Sequence, residues 1–197
     1  INEAGRAEHL YYGESVDCCD LRYMAVRRSY SFAPYDKDYG EELSPDSVFC
    51  EIPCENSGDF RPCALGISGK SVDFKYVSHR IYNGAEKIKG LPCSDGDGAE
   101  SLEIIFSDKI EGVSLRFTYA VYFDCDIISR RAEIINNSRG ELRINKAAYS
   151  LDLYGRDYDL LELYGTYYRE RAEVQRTPLK FGFQGSFSHK GASGHES

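Results

Sequence analysis

The stretch Val113-Ser114-Leu115-Arg116-Phe117-Thr118-Tyr119-Ala120-Val121-Tyr122-Phe123 decides the fold class of this chain. Every second residue, from Val113 to Phe123, is a large apolar side chain, and the residues between them are mostly smaller or polar. A period of two is typical of a β-strand that buries one face. The stretch therefore predicts a long strand.

Strand-like segments lie on both sides of this stretch at short spacing. Residues 102–106 precede it through a turn at 108–112, and residues 127–135 follow it and end at a turn at 136–140. Consecutive strands joined by short turns pair in antiparallel fashion. The middle of the chain therefore predicts an antiparallel meander.

The rest of the chain also favours strands over helices. Tyr and Phe are abundant (16 and 10 residues), Met occurs once, and no amphipathic helix of ten or more residues is visible. Residues 22–28 are the one candidate for a short helical turn. The further candidate strands are residues 8–12, 48–52, 64–67, 74–81, 142–153, 160–168 and 181–187. Together these segments predict an all-β fold, a large antiparallel β-sandwich.

Composition excludes several classes of function. The net charge of −8 argues against nucleic acid as a partner, because phosphate binding needs clustered Lys and Arg. The sequence contains no run of 18 apolar residues, so no membrane span is predicted. It contains no dinucleotide or phosphate-binding fingerprint, so no cofactor is predicted. The seven cysteines have no zinc-like spacing, so we expect no metal site and reduced thiols in a cytoplasmic protein.

Carboxylate pairs are easy to find in a chain with 32 acidic residues. Five aspartates could each belong to an acid/base pair for glycoside cleavage: Asp124, Asp126, Asp152, Asp157 and Asp159. Each also lies at a strand end or a turn, where Asp is common. We therefore predict no catalytic residue in this chain.

The segment Ser57-Gly58-Asp59-Phe60-Arg61-Pro62 carries the strongest chemical signal. Gly58 permits a tight bend, and Pro62 stiffens the exit from it. Asp59, Phe60 and Arg61 then supply a carboxylate, an aromatic face and a guanidinium, which together can hold the hydroxyls and the C–H surface of a sugar. The other interpretation is a turn with a local Asp59–Arg61 pair and a buried Phe60.

Five short segments, in this order, carry a resemblance to a known family. They are His9-Leu10-Tyr11-Tyr12-Gly13, the Ser57 to Pro62 segment, Tyr76-Val77-Ser78-His79-Arg80-Ile81-Tyr82, Leu163-Tyr164-Gly165 with Arg169-Glu170-Arg171, and Lys190-Gly191-Ala192-Ser193. The set resembles the N-terminal domain of glycoside hydrolase family 36, the α-galactosidases. The likeness extends over nearly the whole chain.

The resemblance implies a β-supersandwich that is followed, in the parent enzyme, by a catalytic (β/α)8 barrel holding the nucleophile and the acid/base. The implied activity is retaining hydrolysis of terminal α-galactosides such as melibiose and raffinose. Many members are tetramers in which this domain reaches a neighbour's active site. The loop used there matches Gly58 to Arg61, which implies that Asp59, Phe60 and Arg61 bind substrate from an exposed loop.

We therefore expect residues 1–197 to form a single β-supersandwich domain. Because the chain begins with Ile1 and not with Met, we expect it to be a fragment of a longer enzyme. Residues 190–197 would begin the linker to the barrel. The expected function is that of a non-catalytic domain that supports homo-oligomerisation and lends a loop to the active site. A free-standing carbohydrate-binding β-sandwich module is the alternative, although such modules usually present a platform with Trp, which this chain lacks.

Overall fold

In the described part of the chain, all pairs of named strands are antiparallel. The structure, a computed structural model, describes residues 1–17, 20–25, 27, 39, 43–46, 48–90, 93, 97–153, 157–166 and 169–186. In this part of the chain the strands are β1 Leu65–Ile67, β2 Lys75–Asn83, β3 Ala99–Asp108, β4 Val113–Tyr122, β5 Ile127–Asn136, β6 Ile144–Ala147, β7 Asp159–Thr166 and β8 Arg169–Pro178, with a 3-10 helix at Arg22–Met24. No helix within the described residues is long and apolar enough to span a membrane.

The central element is a four-stranded antiparallel meander in the order β2, β3, β4, β5. Phe117 on β4 lies between Ile104 on β3 and Ala132 on β5. The alternation of Val113 to Phe123 therefore places its large apolar residues on one face of the sheet.

The turn between β3 and β4 is fixed by its own side chains. The Asp108 carboxylate accepts hydrogen bonds from the backbone N–H groups of Ile110 and Glu111, at 2.9 and 3.0 Å. Gly112 has a φ of 67°, a conformation that glycine adopts without a steric penalty. The register of the meander is set by this turn as well as by the apolar pattern.

The core lies on the apolar face of the sheet. Phe106, Leu115 and Phe117 are among its most buried side chains, each no more than 2% exposed. β1 and β6 form a separate two-stranded sheet, and Leu65 and Ile67 of β1 cluster with Val113 of β4. Two layers of strands around one apolar core make an antiparallel β-sandwich, as the sequence predicted.

The opposite face of the same sheet carries an ionic ladder, formed by Arg80, Glu86, Glu103, Arg116, Arg131 and Glu133. Arg80 donates two hydrogen bonds of 2.9 Å to the Glu103 carboxylate on the next strand. Arg116 donates to Glu133 at 3.1 Å. Opposite charges on neighbouring strands stabilise the pairing of a sheet, each by a modest amount.

Residues 153–197 form a second compact unit, separate from residues 1–152. Within it, β7 pairs with β8 in antiparallel register, from Asp159 opposite Pro178 to Thr166 opposite Arg169. The Leu179 N–H donates to the Tyr158 carbonyl at 2.8 Å and closes the base of this hairpin. The segment predicted as a linker, 190–197, lies outside the described residues, and the single domain over residues 1–197 stays a prediction.

The strand predictions for the meander are confirmed, with ends that move by no more than three residues. Residues 142–153 were predicted as one long strand or a pair of strands, and this is wrong in extent, because only Ile144–Ala147 forms a strand and pairs with β1. Residues 8–12 and 48–52 form no strand and share one isolated bridge, Glu8 with Cys50. Residues 181–186 form no strand either, whereas β8 was not predicted, because its charged sequence has no apolar alternation.

Candidate functional site

The Ser57 to Pro62 segment lies in a loop of residues 54–64, here called the lip loop. Backbone hydrogen bonds from Ala64 N–H to Pro53 O (2.7 Å) and from Glu55 N–H to Leu65 O (2.9 Å) close its base. These bonds hold the two ends of the loop together beside β1.

The bend inside the lip loop follows from its sequence. Asn56 and Gly58 have φ angles of 60° and 86°, in the left-handed region that Asn and Gly adopt most readily. The Ser57 hydroxyl donates to the Cys54 carbonyl at 2.7 Å. The Asp59 carboxylate accepts the backbone N–H of Arg61 at 3.0 Å, which forms an Asx turn.

The guanidinium of Arg61 joins three parts of the chain. Nε and Nη2 donate to the Asp59 carboxylate at 3.0 and 2.7 Å, which is a bidentate pair. Nη2 also donates to the Cys50 carbonyl at 2.6 Å, and Nη1 donates to Asp152 at 2.6 Å. The guanidinium lies 5.5 Å from the centre of the Phe49 ring. Arg61 therefore fixes the lip loop against distant segments.

Burial separates the three predicted site residues into two groups. The side chains of Asp59 and Arg61 are 2% and 21% exposed, whereas Phe60 is 77% exposed. The Asp59–Arg61 ion pair therefore points inward, and the Phe60 ring between them points to solvent. The expectation that the whole loop is exposed is wrong for Asp59, because its carboxylate is turned into the Arg61 guanidinium.

The alternative interpretation of the segment also needs correction. A local Asp59–Arg61 pair is present, but Phe60 is not buried. An exposed phenyl ring held by a rigid ion pair is a surface on which a ring-shaped ligand can stack. The role of Asp59, Phe60 and Arg61 in binding a sugar stays a prediction.

Sequence reasoning missed Asp152 as a partner of this loop. It is 91 positions from Arg61 in the chain, and the two side chains form an ion pair of 2.6 Å. His9 Nδ1 lies 4.0 Å from the same Asp152 carboxylate. No local pattern marks these contacts, since they depend on the packing of segments that are distant in sequence.

The electrostatics of the cluster favour binding over acid/base chemistry. Burial disfavours the charged form of Arg61, but hydrogen bonds and attraction from Asp59 and Asp152 outweigh it and raise the pKa of the guanidinium. Burial raises the pKa of the neighbouring Cys50 thiol to about 11, so this thiol stays protonated at neutral pH. Both carboxylates of the cluster are engaged by Arg61 and are poorly placed to transfer protons to a ligand.

No group of three or more His, Cys, Asp or Glu side chains among the described residues is arranged to hold a metal ion. The described cysteines of unit 1–152, namely Cys50, Cys54, Cys63, Cys93 and Cys125, are free thiols. The lip loop is a polar clamp, centred on Arg61, that presents the exposed ring of Phe60.

Comparisons with known proteins agree with this fold and place the chain in a family. The model of the glycosyl hydrolase family 36 N-terminal domain matches residues 5–197. The chain is 33% identical to the bifunctional alpha-galactosidase/sucrose kinase AgaSK of Mediterraneibacter gnavus, over 100% of this chain and 22% of that protein. It is 31% identical to alpha-galactosidase AgaA of Geobacillus stearothermophilus, over 98% of this chain and 27% of that protein.

Solved structures give the same result. The crystal structure of AgaA from Geobacillus stearothermophilus matches with a TM-score of 0.88 and 31% identity, over 100% of this chain and 28% of that one. A variant of AgaA solved in complex with raffinose matches with a TM-score of 0.87 and 31% identity, over 99% of this chain and 28% of that one. The chain spans about a quarter of the length of these relatives. The chain belongs to the N-terminal domains of glycosyl hydrolase family 36 α-galactosidases.

Proposed function

We propose that this chain is the non-catalytic N-terminal part of an enzyme that hydrolyses terminal α-galactosides of the melibiose and raffinose type. The observation that carries the proposal is that nearly the whole of this chain matches α-galactosidases that are several times longer than it. The catalytic groups would come from the enzyme's own barrel. A free-standing carbohydrate-binding module is less well supported, because both relatives named above are large α-galactosidases.

In the proposed enzyme, the lip loop borders the substrate site, and Asp59, Phe60 and Arg61 form its substrate-binding surface. Phe60 offers its ring to the C–H face of the sugar, which its 77% exposure supports. Asp59 holds Arg61, and the Nη1 atom of Arg61, which donates to Asp152, has a second N–H to direct at a sugar hydroxyl.

We also propose that the parent enzyme is a cytoplasmic homo-oligomer in which the lip loop of one subunit reaches the active site of a neighbour. The free thiols of the described cysteines support a reducing compartment. The exposed position of Phe60 on a closed, rigid loop supports a contact outside its own unit.

The test of the lip assignment is Phe60→Ala in the full-length enzyme, with raffinose and melibiose as substrates. Loss of one ring contact worth about 0.5–1.5 kcal/mol lowers kcat/KM about two- to twelvefold. The matched control is Phe123→Ala, which removes another exposed ring, 66% exposed, from the turn after β4. Equal values of kcat/KM for the two variants would show that the lip loop does not border the substrate site.

Asp59 needs a different readout, because its side chain is buried against Arg61. Asp59→Asn removes a charge-assisted pair, so we expect the free energy of unfolding to fall by about 1–3 kcal/mol. We expect kcat/KM to fall as well, because the Arg61 guanidinium loses its partner. A variant that keeps its stability and loses activity would mean that Asp59 contacts the substrate directly and is not a clamp.

The intersubunit arrangement is tested by complementation. Subunits inactivated in the barrel are mixed with Phe60→Ala subunits, and the oligomers are allowed to exchange. Partial recovery of kcat/KM supports a lip loop that acts in a neighbouring subunit, whereas a simple sum of the two separate activities contradicts it.

A further inference from the structure

Arg61 connects the tip of the lip loop to segments that are distant in the chain. Its partner Asp59 lies two positions away in the same loop, so this pair holds the guanidinium relative to the loop and not relative to the rest of the domain. Two other hydrogen bonds of Arg61 leave the loop, from Nη2 to the Cys50 carbonyl and from Nη1 to the Asp152 carboxylate, each 2.6 Å long. The bond to Asp152 joins two opposite charges, which makes it the stronger of the two.

The hydrogen bonds of Arg61 leave one of its N–H groups for a ligand. A guanidinium carries one N–H on Nε and two on each terminal nitrogen. Within the described residues, Nε donates to Asp59, Nη2 donates to Asp59 and to the Cys50 carbonyl, and Nη1 donates to Asp152. The remaining N–H is on Nη1, the nitrogen that Asp152 holds. The position of this carboxylate therefore affects the direction of that N–H.

The backbone around both of these partners is held to the central sheet by a second arginine. Arg130, on β5, donates to the Ser150 carbonyl at 2.7 Å and to the Glu51 carbonyl at 3.2 Å. It also pairs with the Glu51 carboxylate at 3.1 Å. These contacts lie two positions from Asp152 and next to the carbonyl that Arg61 binds. Asp152 is therefore a fixed point, set by the sheet, to which the tip of the loop is attached.

The whole arrangement is built within one compact unit, residues 1–152. The side chains of Arg61 and Asp152 are 21% and 32% exposed, so much of the pair is shielded from solvent. A partly buried ion pair is screened less by salt than an exposed one. The pair is therefore suited to hold a loop in one position.

We propose that Asp152 is the positioning residue of the lip loop, which fixes the direction in which Arg61 presents its remaining N–H, and with it the Phe60 ring, to an α-galactoside. The proposal rests on the proposed function, in which the lip loop borders the substrate site. The N–H donates to a hydroxyl oxygen of the sugar, and Asp152 acts through Arg61 without touching the sugar. Loss of its charge leaves the Asp59–Arg61 pair in place but loosens the loop relative to the domain.

The test is Asp152→Asn in the full-length enzyme, with raffinose and melibiose as substrates. We expect KM to rise about fivefold or more and kcat to change by less than about twofold, because a contact made equally to bound substrate and to transition state is weakened. The matched control is Glu86→Gln, which breaks another ion pair between distant residues, with Arg131 at 3.0 Å, on the opposite face of the sheet. Equal values of kcat/KM for the two variants overturn the proposal.

Hydrogen exchange of the full-length enzyme, followed by mass spectrometry, separates positioning from direct contact with the substrate. The backbone N–H groups of residues 54–64 should exchange at least about threefold faster in Asp152→Asn than in the parent enzyme, and at the parent rate in Glu86→Gln. Unchanged exchange with a raised KM would mean that Asp152 touches the substrate itself. Faster exchange with an unchanged KM would mean that it only stabilises the loop. Either result overturns the proposal.

A double-mutant cycle tests whether Asp152 acts through Arg61. In an Arg61→Ala background, the further change Asp152→Asn should alter KM by less than about twofold. A full effect in that background would mean that Asp152 acts through another neighbour and would overturn the proposal. His9 is such a neighbour, since its Nδ1 atom lies 4.0 Å from the Asp152 carboxylate.

Asp152→Glu covers the case in which Asp152→Asn does not fold. It keeps the charge but displaces the carboxylate, so KM should still rise and residues 54–64 should still exchange faster. Parent values of both overturn the proposal. Phe60→Ala tests the proposed function separately: if it lowers kcat/KM while Asp152→Asn does not, only the role of Asp152 fails, and if it has no effect, the substrate role of the loop fails.

Discussion

The two faces of the central sheet are built from the same four strands, yet they are stabilised in different ways. On the apolar face, Phe106 and Phe117 pack edge to face at 6.1 Å and are almost completely buried. On the other face, Arg80, Glu103 and Arg116 form part of a ladder of ion pairs that runs from strand to strand. A side-chain period of two separates these two kinds of interaction along each strand.

The apolar face contributes most of the stability of the sheet. Burial of large apolar side chains contributes a few kcal/mol for each residue. Ion pairs that are partly open to solvent contribute much less, because water already stabilises the separate charges. The side chain of Arg80 is 61% exposed, so its pair with Glu103 belongs to the weaker class.

The largest expected effect is on the apolar face. Phe117→Ala removes a ring that packs against Phe106, Tyr119 and the Arg130 guanidinium. We expect the free energy of unfolding to fall by about 3–5 kcal/mol, since a buried phenyl ring is lost and a cavity is left. The measurement is chemical denaturation of the 197-residue chain, with the exposed Phe123→Ala as control. A loss under about 1 kcal/mol would contradict the assignment of the core to this face.

An intermediate, pH-dependent effect is expected on the ionic face. The hydrogen bond from Arg80 holds the pKa of Glu103 below its ordinary value of 4.5, although partial burial opposes this. A carboxyl group with a lowered folded-state pKa stabilises the fold above its unfolded pKa, and this contribution is lost as the pH falls through the folded pKa. Glu103→Gln should therefore reduce stability at pH 7 and flatten its fall below about pH 4.5.

The control for this prediction is on the same strand. Glu100→Gln changes an exposed carboxylate three residues away and should leave the pH profile of stability close to that of the parent chain. If the curves of Glu103→Gln and the parent chain run parallel between about pH 3 and pH 7, the Arg80–Glu103 pair does not contribute to folding.

The sequence was sufficient to predict the meander, because one strong alternation at β4 and the turn residues around it are local signals. The Asp108 to Gly112 turn is an example: its hydrogen bonds join residues within three positions of each other. β8 was missed for the opposite reason. Its residues are mostly charged or polar, and it becomes a strand through pairing with β7.

The candidate site was only partly predictable. The types of residue in the lip loop indicated a sugar-binding set, and the Asp59–Arg61 pair is local enough to be expected from two-residue spacing. The inward direction of this pair depends on Asp152 and on the Cys50 carbonyl, which are 91 and 11 positions from Arg61. Contacts at such separations leave no periodic pattern in a single sequence.

The smallest expected effect is at the exposed end of the apolar face, at Ile128, and it contrasts with the packed part of the same face, at Ile134. Ile128 and Ile134 are both on β5, six positions apart, and point to the same face. Ile134 packs against two clusters of the core, whereas Ile128 is 54% exposed. In the 197-residue chain, Ile134→Ala should cost about 2 kcal/mol, because it leaves a gap between packed side chains. Ile128→Ala should change the free energy of unfolding by less than about 0.5 kcal/mol, since water already contacts much of this side chain. Both values come from denaturant unfolding under identical conditions. A loss at Ile128 equal to that at Ile134 would mean that Ile128 is packed as closely as Ile134, and the contrast between the two parts of the face would then not exist.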